Sequence, residues 1–219
     1  MIRIVLADDQ ALLRAGLRSV LTTEEDFSVV GEASDGAEAA RIAQALDADI
    51  VLMDIQMPGV DGIEGVGRIV DGGVRAKVLM LTMFDLDEYV YGALRAGASG
   101  FLLKSAQPEE ISRAVREVHE GAMLFSPTVT QRLVQAYVRR PPATDQVPEA
   151  LTTLTERELD VVAGIARGLS NAEIGAELYL GETTVKAHVS HILSKLGLRD
   201  RVQVVVLAYE SGFAGSSDG

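Results

Sequence analysis

The 219-residue chain contains no cysteine. That excludes a disulfide scaffold, a thiolate metal site and a cysteine nucleophile together. No apolar run approaches the roughly 18 residues a membrane-spanning helix needs, so no membrane segment is expected. The amino terminus, MIRIVLADDQ, carries acids at positions 8 and 9. A secretory signal needs a longer, uncharged apolar stretch, and a soluble, cytoplasmic protein is expected. Lysine is scarce, 4 residues against 16 arginines, so each lysine is worth locating. Hydrophobic residues make up 47% and charged residues 24%, the mix of a folded soluble protein.

Net charge is −12, unevenly spread: −10 over residues 1–120, +1 over 121–149 and −3 over 150–219. An acidic whole argues against nonspecific coating of nucleic acid. It leaves room for one basic helix presented locally.

Within residues 1–120, apolar runs at 2–7, 27–33, 50–53, 78–81 and 100–103 alternate with amphipathic stretches of helical length. Those stretches are 11–21, 36–46, 62–70, 86–96 and 109–120. In the first, Leu12, Leu13, Leu17, Val20 and Leu21 are expected near one face. Five strands interleaved with five helices imply a parallel sheet covered on both sides. Four of the five runs are almost wholly apolar, as strands buried on both faces should be. The alternation stops at 121–150, where Arg139-Arg140-Pro141-Pro142 and Pro148 read as a linker. Ser126-Pro127 is placed to open a short helix through about Val138. Residues 151–212 are helical in pattern, and the tail 215–219 is expected to fray. The expected organisation is residues 1–121, a linker 122–150 and a small all-helical domain 151–213.

In an open parallel sheet, ligands bind outside the carboxyl ends of the strands. The first run ends in Asp8-Asp9, the third in Asp54, the fourth in Thr82 and the fifth in Leu103-Lys104. One Asp at a strand end is ordinarily a helix cap or a solvated loop residue. The joint occurrence of three carboxylates, a hydroxyl and a scarce lysine is harder to reach by accident. Three clustered carboxylates repel unless a cation joins them. Mg²⁺, an oxygen-ligating ion, fits that need, and Lys104 would balance an added anion. Those are the parts phosphoryl transfer uses, with Asp54 as candidate nucleophile.

The stretches ADD at 7–9, DIQMPGVDG at 54–62, LT at 81–82 and GFLLK at 100–104 resemble the two-component receiver domain. The resemblance covers the whole first domain. It implies a flavodoxin-like α/β fold with strand order 2-1-3-4-5. It implies Asp54 as the residue phosphorylated by a sensor histidine kinase. Asp9, Asp54 and the backbone carbonyl of Gln56 match the Mg²⁺ ligands, with Asp8 assisting. Lys104 matches the phosphate-pairing lysine, Thr82 the switch hydroxyl and Phe101 the switch aromatic. Phe101 lacks a hydroxyl, so its switching would be a packing event. Phe84 and Gln56 occupy positions that line the path of attacking water in receivers. An apolar Phe84 either shields the phosphoryl group, which would give a comparatively long-lived phosphorylated state, or merely packs on its loop.

In the last region, Thr155 with Glu158 forms a capping box before a helix, and Ser170 caps a short helix over 171–178. A further helix spans 182–196, and a last one runs from about 200 to 210. Residues 183–203 carry Lys186, Lys195, Arg199 and Arg201 against Asp200 alone, a local net of +3. Thr183, Lys186, Ala187 and Ser190 share one face by 3–4 spacing, opposite the apolar Val185, Val189, Ile192 and Leu196. Thr184 and His191 join the polar set. A half-apolar helix with a short-chained, basic outer face fits the major groove. Lys195 and Arg199 suit phosphate contacts. Charge alone, in an acidic domain, favours an ordinary helical bundle. Residues 154–201 resemble the LuxR-type helix-turn-helix, through TERE, GLSNAEI, TVKAHV and KLGLRDR. That resemblance makes 182–196 the recognition helix and Lys186 its base-reading cation. Val202, Val205, Val206 and Tyr209 resemble the family's dimerisation surface, though docking onto the domain's own first helix is open too.

Together the halves resemble a NarL/FixJ-type response regulator: a DNA-binding transcriptional regulator, not an enzyme acting on an external substrate. Its expected partners are a sensor histidine kinase, promoter DNA and, once phosphorylated, a second copy of itself. Two competitors stand beside it. One is a phosphatase-like enzyme, for which the sequence offers little pocket lining. The other is a phosphorylation-independent DNA-binding regulator whose receiver serves only as a dimerisation or ligand module.

Overall fold

The computed structural model describes residues 1–83, 87–121 and 149–215. The expected 126–138 helix, most of the expected linker, Phe84 and residues 216–219 lie outside the described residues. The chain divides into two compact units, Met1–Leu124 and Phe125–Gly219, and each is described by itself.

The first unit runs β1 (Ile2–Ala7), α1 (Ala11–Leu21), β2 (Phe27–Ala33), α2 (Gly36–Ala45), β3 (Ile50–Asp54), α3 (Gly62–Asp71), β4 (Lys77–Thr82), α4 (Asp87–Ala96), β5 (Gly100–Leu103) and α5 (Pro108–Glu120). Every strand pair is parallel, in the order β2-β1-β3-β4-β5. That is the order the receiver resemblance implies. Side chains alternate across each strand, and the core divides accordingly. Val5, Ala7, Val51, Met53, Val78 and Met80 pack with Ala39, Ala43, Val66, Ile69 and Ala93 of α2, α3 and α4. Ile4, Leu6, Ile50, Leu52, Leu79 and Leu81 pack on the other side with Leu21 of α1 and Ile111, Ala114, Val115 and Val118 of α5.

Two expectations need correction. Only β1, β3 and β4 are buried along nearly their whole length. The apolar β5 run is an edge strand, with Leu103 45% exposed. Leu12 does not share the buried face of α1; it is 87% exposed. Nine residues at about 100° each carry Leu12 half a turn away from Leu21, which is fully buried.

The second unit packs α6 (Glu156–Ala166), α7 (Asn171–Leu178), α8 (Glu182–Leu196) and α9 (Arg201–Glu210). Capping boxes start α6 at Thr155–Glu158 and α7 at Ser170–Glu173. The turn into α8 is tight. A Cβ on Gly175 would lie 2.6 Å from the Leu180 carbonyl oxygen, and Tyr179 turns the chain with φ +56°. Among the described residues no helix is long and apolar enough to cross a membrane.

Candidate functional sites

The parallel register delivers the acids. Asp54 is the last residue of β3, one position past the Ala7↔Met53 pair, and Thr82 lies opposite Leu103. Asp8 follows β1 and Lys104 follows β5, so all four strand ends open on one edge. Asp8, Asp54 and Thr82 are buried, while Asp9 is exposed. The Lys104 ammonium lies 2.7 Å from Asp8 Oδ2 and 2.8 Å from Asp54 Oδ2, its side chain only 3% exposed. Its own amide donates to the Thr82 carbonyl at 2.7 Å, which fixes where the side chain starts.

Burial pushes the Asp54 carboxyl above its ordinary pKa; Lys104 works against this, and the neighbouring Asp8 charge adds to it. Burial works against the Lys104 ammonium as well, but the two carboxylates outweigh it and raise its pKa. The lysine therefore stays charged between two acids.

Carboxylate oxygens of Asp8, Asp9 and Asp54 lie within 4.8 Å of one another. Three negative charges face one ammonium. Asp8 Oδ2 is buried and, among the described residues, is met by the Lys104 ammonium alone. An all-oxygen, acid-rich set with an under-satisfied buried oxygen fits a hard divalent cation such as Mg²⁺. The other two residues assigned to this site by resemblance border the ion-pair cluster, and the backbone amide of Gln56 donates to the Asp54 carboxylate. The Gln56 side chain is exposed and donates to the Tyr89 hydroxyl at 3.4 Å. Phe101 is half-buried beside Met80.

Two residues that shape this edge were not singled out from the sequence. A Cβ on Gly62 would stand 2.0 Å from the Asp54 carbonyl oxygen. Only glycine lets the start of α3 press against the acceptor loop, and it is the last letter of DIQMPGVDG. Arg14 of α1 donates through Nη1 to the Asp8 carbonyl at 2.5 Å. Nothing in its spacing from Asp8 announces that contact.

On α8, Thr183, Thr184, Lys186, Ala187, Ser190 and His191 are exposed, and Val185, Val189 and Ile192 are buried. The Ser190 hydroxyl bonds back to the Lys186 carbonyl at 3.2 Å. The local basic excess, however, is largely committed inside the unit. The Lys195 ammonium is held at 2.6 Å by Glu158, whose side chain is buried. Burial there pushes the Glu158 carboxyl up, but bonds from Lys195 and Thr155 together pull it down to about 2. Arg201 is buried and bonds to Asn171 and the Leu169 carbonyl; burial lowers its pKa to about 10. Arg199 is half-buried. Lys195, expected to suit a phosphate contact, has an ammonium that already anchors α8 to α6.

The expected dimerisation surface is corrected too. Val202, Val205 and Val206 are buried in the unit. Tyr209 donates its hydroxyl to the Ala166 carbonyl of α6 at 3.2 Å. These four dock α9 onto its own domain, and a face already covered is not offered to a second copy.

Comparison with known proteins agrees with both units. Residues 4–116 match the response regulator receiver domain, and residues 152–208 match the bacterial regulatory proteins of the luxR family. The chain belongs to the LuxR-family response regulators: it is a two-component transcriptional regulator with a receiver and a DNA-binding domain. Transcriptional regulatory protein LnrK of Bacillus subtilis is 42% identical over 216 residues, covering 97% of this chain and 98% of that protein. Response regulator protein VraR of Staphylococcus aureus is 39% identical over 209 residues, covering 95% and 97%. Among solved structures, response regulator ChrA of a heme-sensing two-component system is 37% identical, covers 95% of this chain and 96% of its own, and has a TM-score of 0.52.

Proposed function

We propose that Asp54 is the phosphoryl acceptor of this regulator and that a sensor histidine kinase is the donor. The observation that carries the reading is Lys104, whose ammonium bridges Asp8 and Asp54 at 2.7 and 2.8 Å inside a group of three carboxylates. An Asp54 carboxylate oxygen attacks the phosphorus of a kinase phosphohistidine. The new O–P bond forms as the N–P bond breaks, and the leaving imidazole takes up a proton. Lys104 then moves from pairing the Asp54 carboxylate to pairing the phosphoryl oxygens. Thr82, at the end of β4, supplies a hydroxyl towards the added group, and Phe101 repacks. Asp8, Asp9, Asp54 and the Gln56 carbonyl would hold Mg²⁺, which neutralises phosphoryl charge when bound. No turnover of an external substrate is part of this reading.

On the DNA side, Lys186 is the candidate base reader, flanked by Thr183, Thr184, Ala187, Ser190 and His191. The Lys186 side chain is exposed on the outer face of α8, and among the described residues no carboxylate or carbonyl holds it. Phosphorylation shifts the population towards a DNA-binding homodimer, in the cytoplasm. The domain limits follow the same reading: 1–121, a linker 122–150, and 151–213.

The test is incubation of wild type and Asp54→Ala with acetyl phosphate and Mg²⁺, read by intact mass and gel filtration. One phosphoryl adduct on wild type alone, with growth of a dimer, is expected. No adduct at any Mg²⁺ concentration would leave a DNA-binding regulator controlled by other means. Lys186→Ala should weaken binding to a specific site by about 1–3 kcal/mol while sparing random DNA. Equal losses on both would reassign Lys186 to a phosphate.

A further inference from the structure

The acids of the proposed site are not held alike. Asp8 is clamped at every polar group. Its amide donates to the Ala33 carbonyl at 3.2 Å, its Oδ1 accepts from the Gln10 amide at 2.8 Å, and its Oδ2 pairs with Lys104. Its carbonyl oxygen takes the bond from Arg14. Asp54 is pinned by Lys104 and by its place at the end of β3. Asp9 is different: it is exposed, and among the described residues no side chain or amide holds its carboxylate. Its position is inherited from the backbone, and so from the peptide plane that joins it to Asp8. The oxygen of that plane is the one Arg14 grips.

Arg14 is itself held. Its side chain is 17% exposed, its Nε lies 3.4 Å from Glu32 Oε2, and Glu32 is fixed from the other side by Arg18 at 2.7 Å. A strap therefore runs from β2 through Glu32 and Arg14 to the Asp8–Asp9 peptide. The guanidinium fork meets two acceptors at once, which a lysine ammonium at the same place does less well.

We propose that Arg14 is a positioning residue for the divalent cation site: by fixing the Asp8–Asp9 peptide it holds the Asp9 carboxylate where it meets those of Asp8 and Asp54. This rests on the Mg²⁺-dependent acceptor reading above. Arg14 touches neither cation nor phosphoryl group, and acts through the peptide alone. Outer partners of metal ligands commonly change metal affinity by 10–100-fold when removed.

The experiment uses the full chain. Mg²⁺ is titrated by calorimetry into wild type, Arg14→Met, Arg14→Lys and Glu32→Gln. In parallel, the rate of phosphoryl uptake from acetyl phosphate is followed against Mg²⁺ concentration, and thermal midpoints are taken in EDTA. Arg14→Met keeps an apolar stem and is expected to weaken Mg²⁺ by about 10-fold. Its uptake rate should recover as Mg²⁺ is raised. Arg14→Lys should fall between it and wild type, and Glu32→Gln should weaken Mg²⁺ by a smaller factor. A lowered thermal midpoint with unchanged Mg²⁺ affinity overturns the proposal, since Arg14 would then be structural only. If Arg14→Met does not fold, Glu32→Gln decides by the same titration, and unchanged affinity there overturns it. Wild type that binds no Mg²⁺ overturns the acceptor reading itself. Wild type that binds beside unaltered variants overturns only the role of Arg14.

Discussion

At the carboxyl edge of the sheet, two carboxylates and one ammonium meet in the interior, a third carboxylate joins them at the rim, and each constrains the next. On the outer face of α8 the polar residues are exposed and mostly stand apart. The first arrangement is complete in shape but unbalanced in charge: three acids to one base. The second keeps one cation, Lys186, on its outer face while Lys195 pairs with Glu158, and it is incomplete until a partner supplies a surface. An interior site stores its specificity as repulsion and waits for a cation or phosphoryl group to relieve it. A groove-reading face stores little, and takes its energy from the partner.

The sharpest way to break the contrast is Lys104→Met. It leaves the carboxylates of Asp8 and Asp54 buried without their cation, and losing one partner of a buried pair costs about 3–5 kcal/mol. Chemical denaturation in EDTA should show that loss. Mg²⁺ should then raise the midpoint of Lys104→Met more than that of wild type, because binding to the folded state adds stability by mass action. An equal response in both chains would mean the acids do not share one cation site.

Gly62→Ala attacks the same region through its backbone. The new Cβ would sit 2.0 Å from the Asp54 carbonyl, so either α3 or the acceptor loop must move. Overpacking of this kind costs about 1–3 kcal/mol. Phosphoryl uptake by Asp54 should slow as well, whereas an alanine on the open side of α3, at Gly67, meets nothing within 4 Å; it should leave uptake unchanged and raise stability by about 0.5–1 kcal/mol. Parity between the two variants would show that the loop yields freely.

In the second unit the strongest internal charge is Glu158. Its carboxyl is pulled from 4.5 down to about 2 by Lys195 and Thr155. A depressed carboxylate contributes stability that is whole above its unfolded pKa and is lost as pH falls through the folded value. Acid unfolding of this unit should therefore steepen between pH 4.5 and about 2. Glu158→Gln should flatten that window and remove about 2 kcal/mol at neutral pH. Lys195→Met should do nearly the same, and should loosen α8 along with its DNA-facing side chains. An unchanged acid profile would return Lys195 to the pool of free cations.

The two regions also differed in how far the sequence revealed them. Asp8, Asp54, Thr82 and Lys104 were readable because a parallel sheet sends every strand's carboxyl end to one edge, so four strand ends name one place. Arg14 was not, because its contact is with a backbone carbonyl, which carries no letter of its own. On α8 the buried stripe was readable from 3–4 spacing. The fate of the cations was not: Lys195 meets a Glu 37 residues away, and a local charge count cannot tell a solvated lysine from a paired one. Val202, Val205 and Val206 failed for a related reason, since an apolar helix face looks the same whether it docks on its own domain or on a second copy. Leu12 failed on arithmetic, half a turn off the stripe it was assigned to.

The smallest effect concerns the turn that presents α8. Tyr179 is 95% exposed, yet its backbone sits at φ +56°. That region crowds a side chain's Cβ against the following carbonyl, and asparagine tolerates it better than tyrosine. A wholly exposed ring returns little packing to offset the crowding. Tyr179→Asn should therefore stabilise the second unit, by up to about 1 kcal/mol, read as a higher midpoint of helix melting. The contrast predicts this sign: strain at an interior site is bound up with other groups, and removing it there disturbs them, but strain at an exposed turn is local and separable. A lower midpoint would mean that the ring covers apolar surface in the folded domain, and that the turn is held by its neighbours as firmly as the acids are.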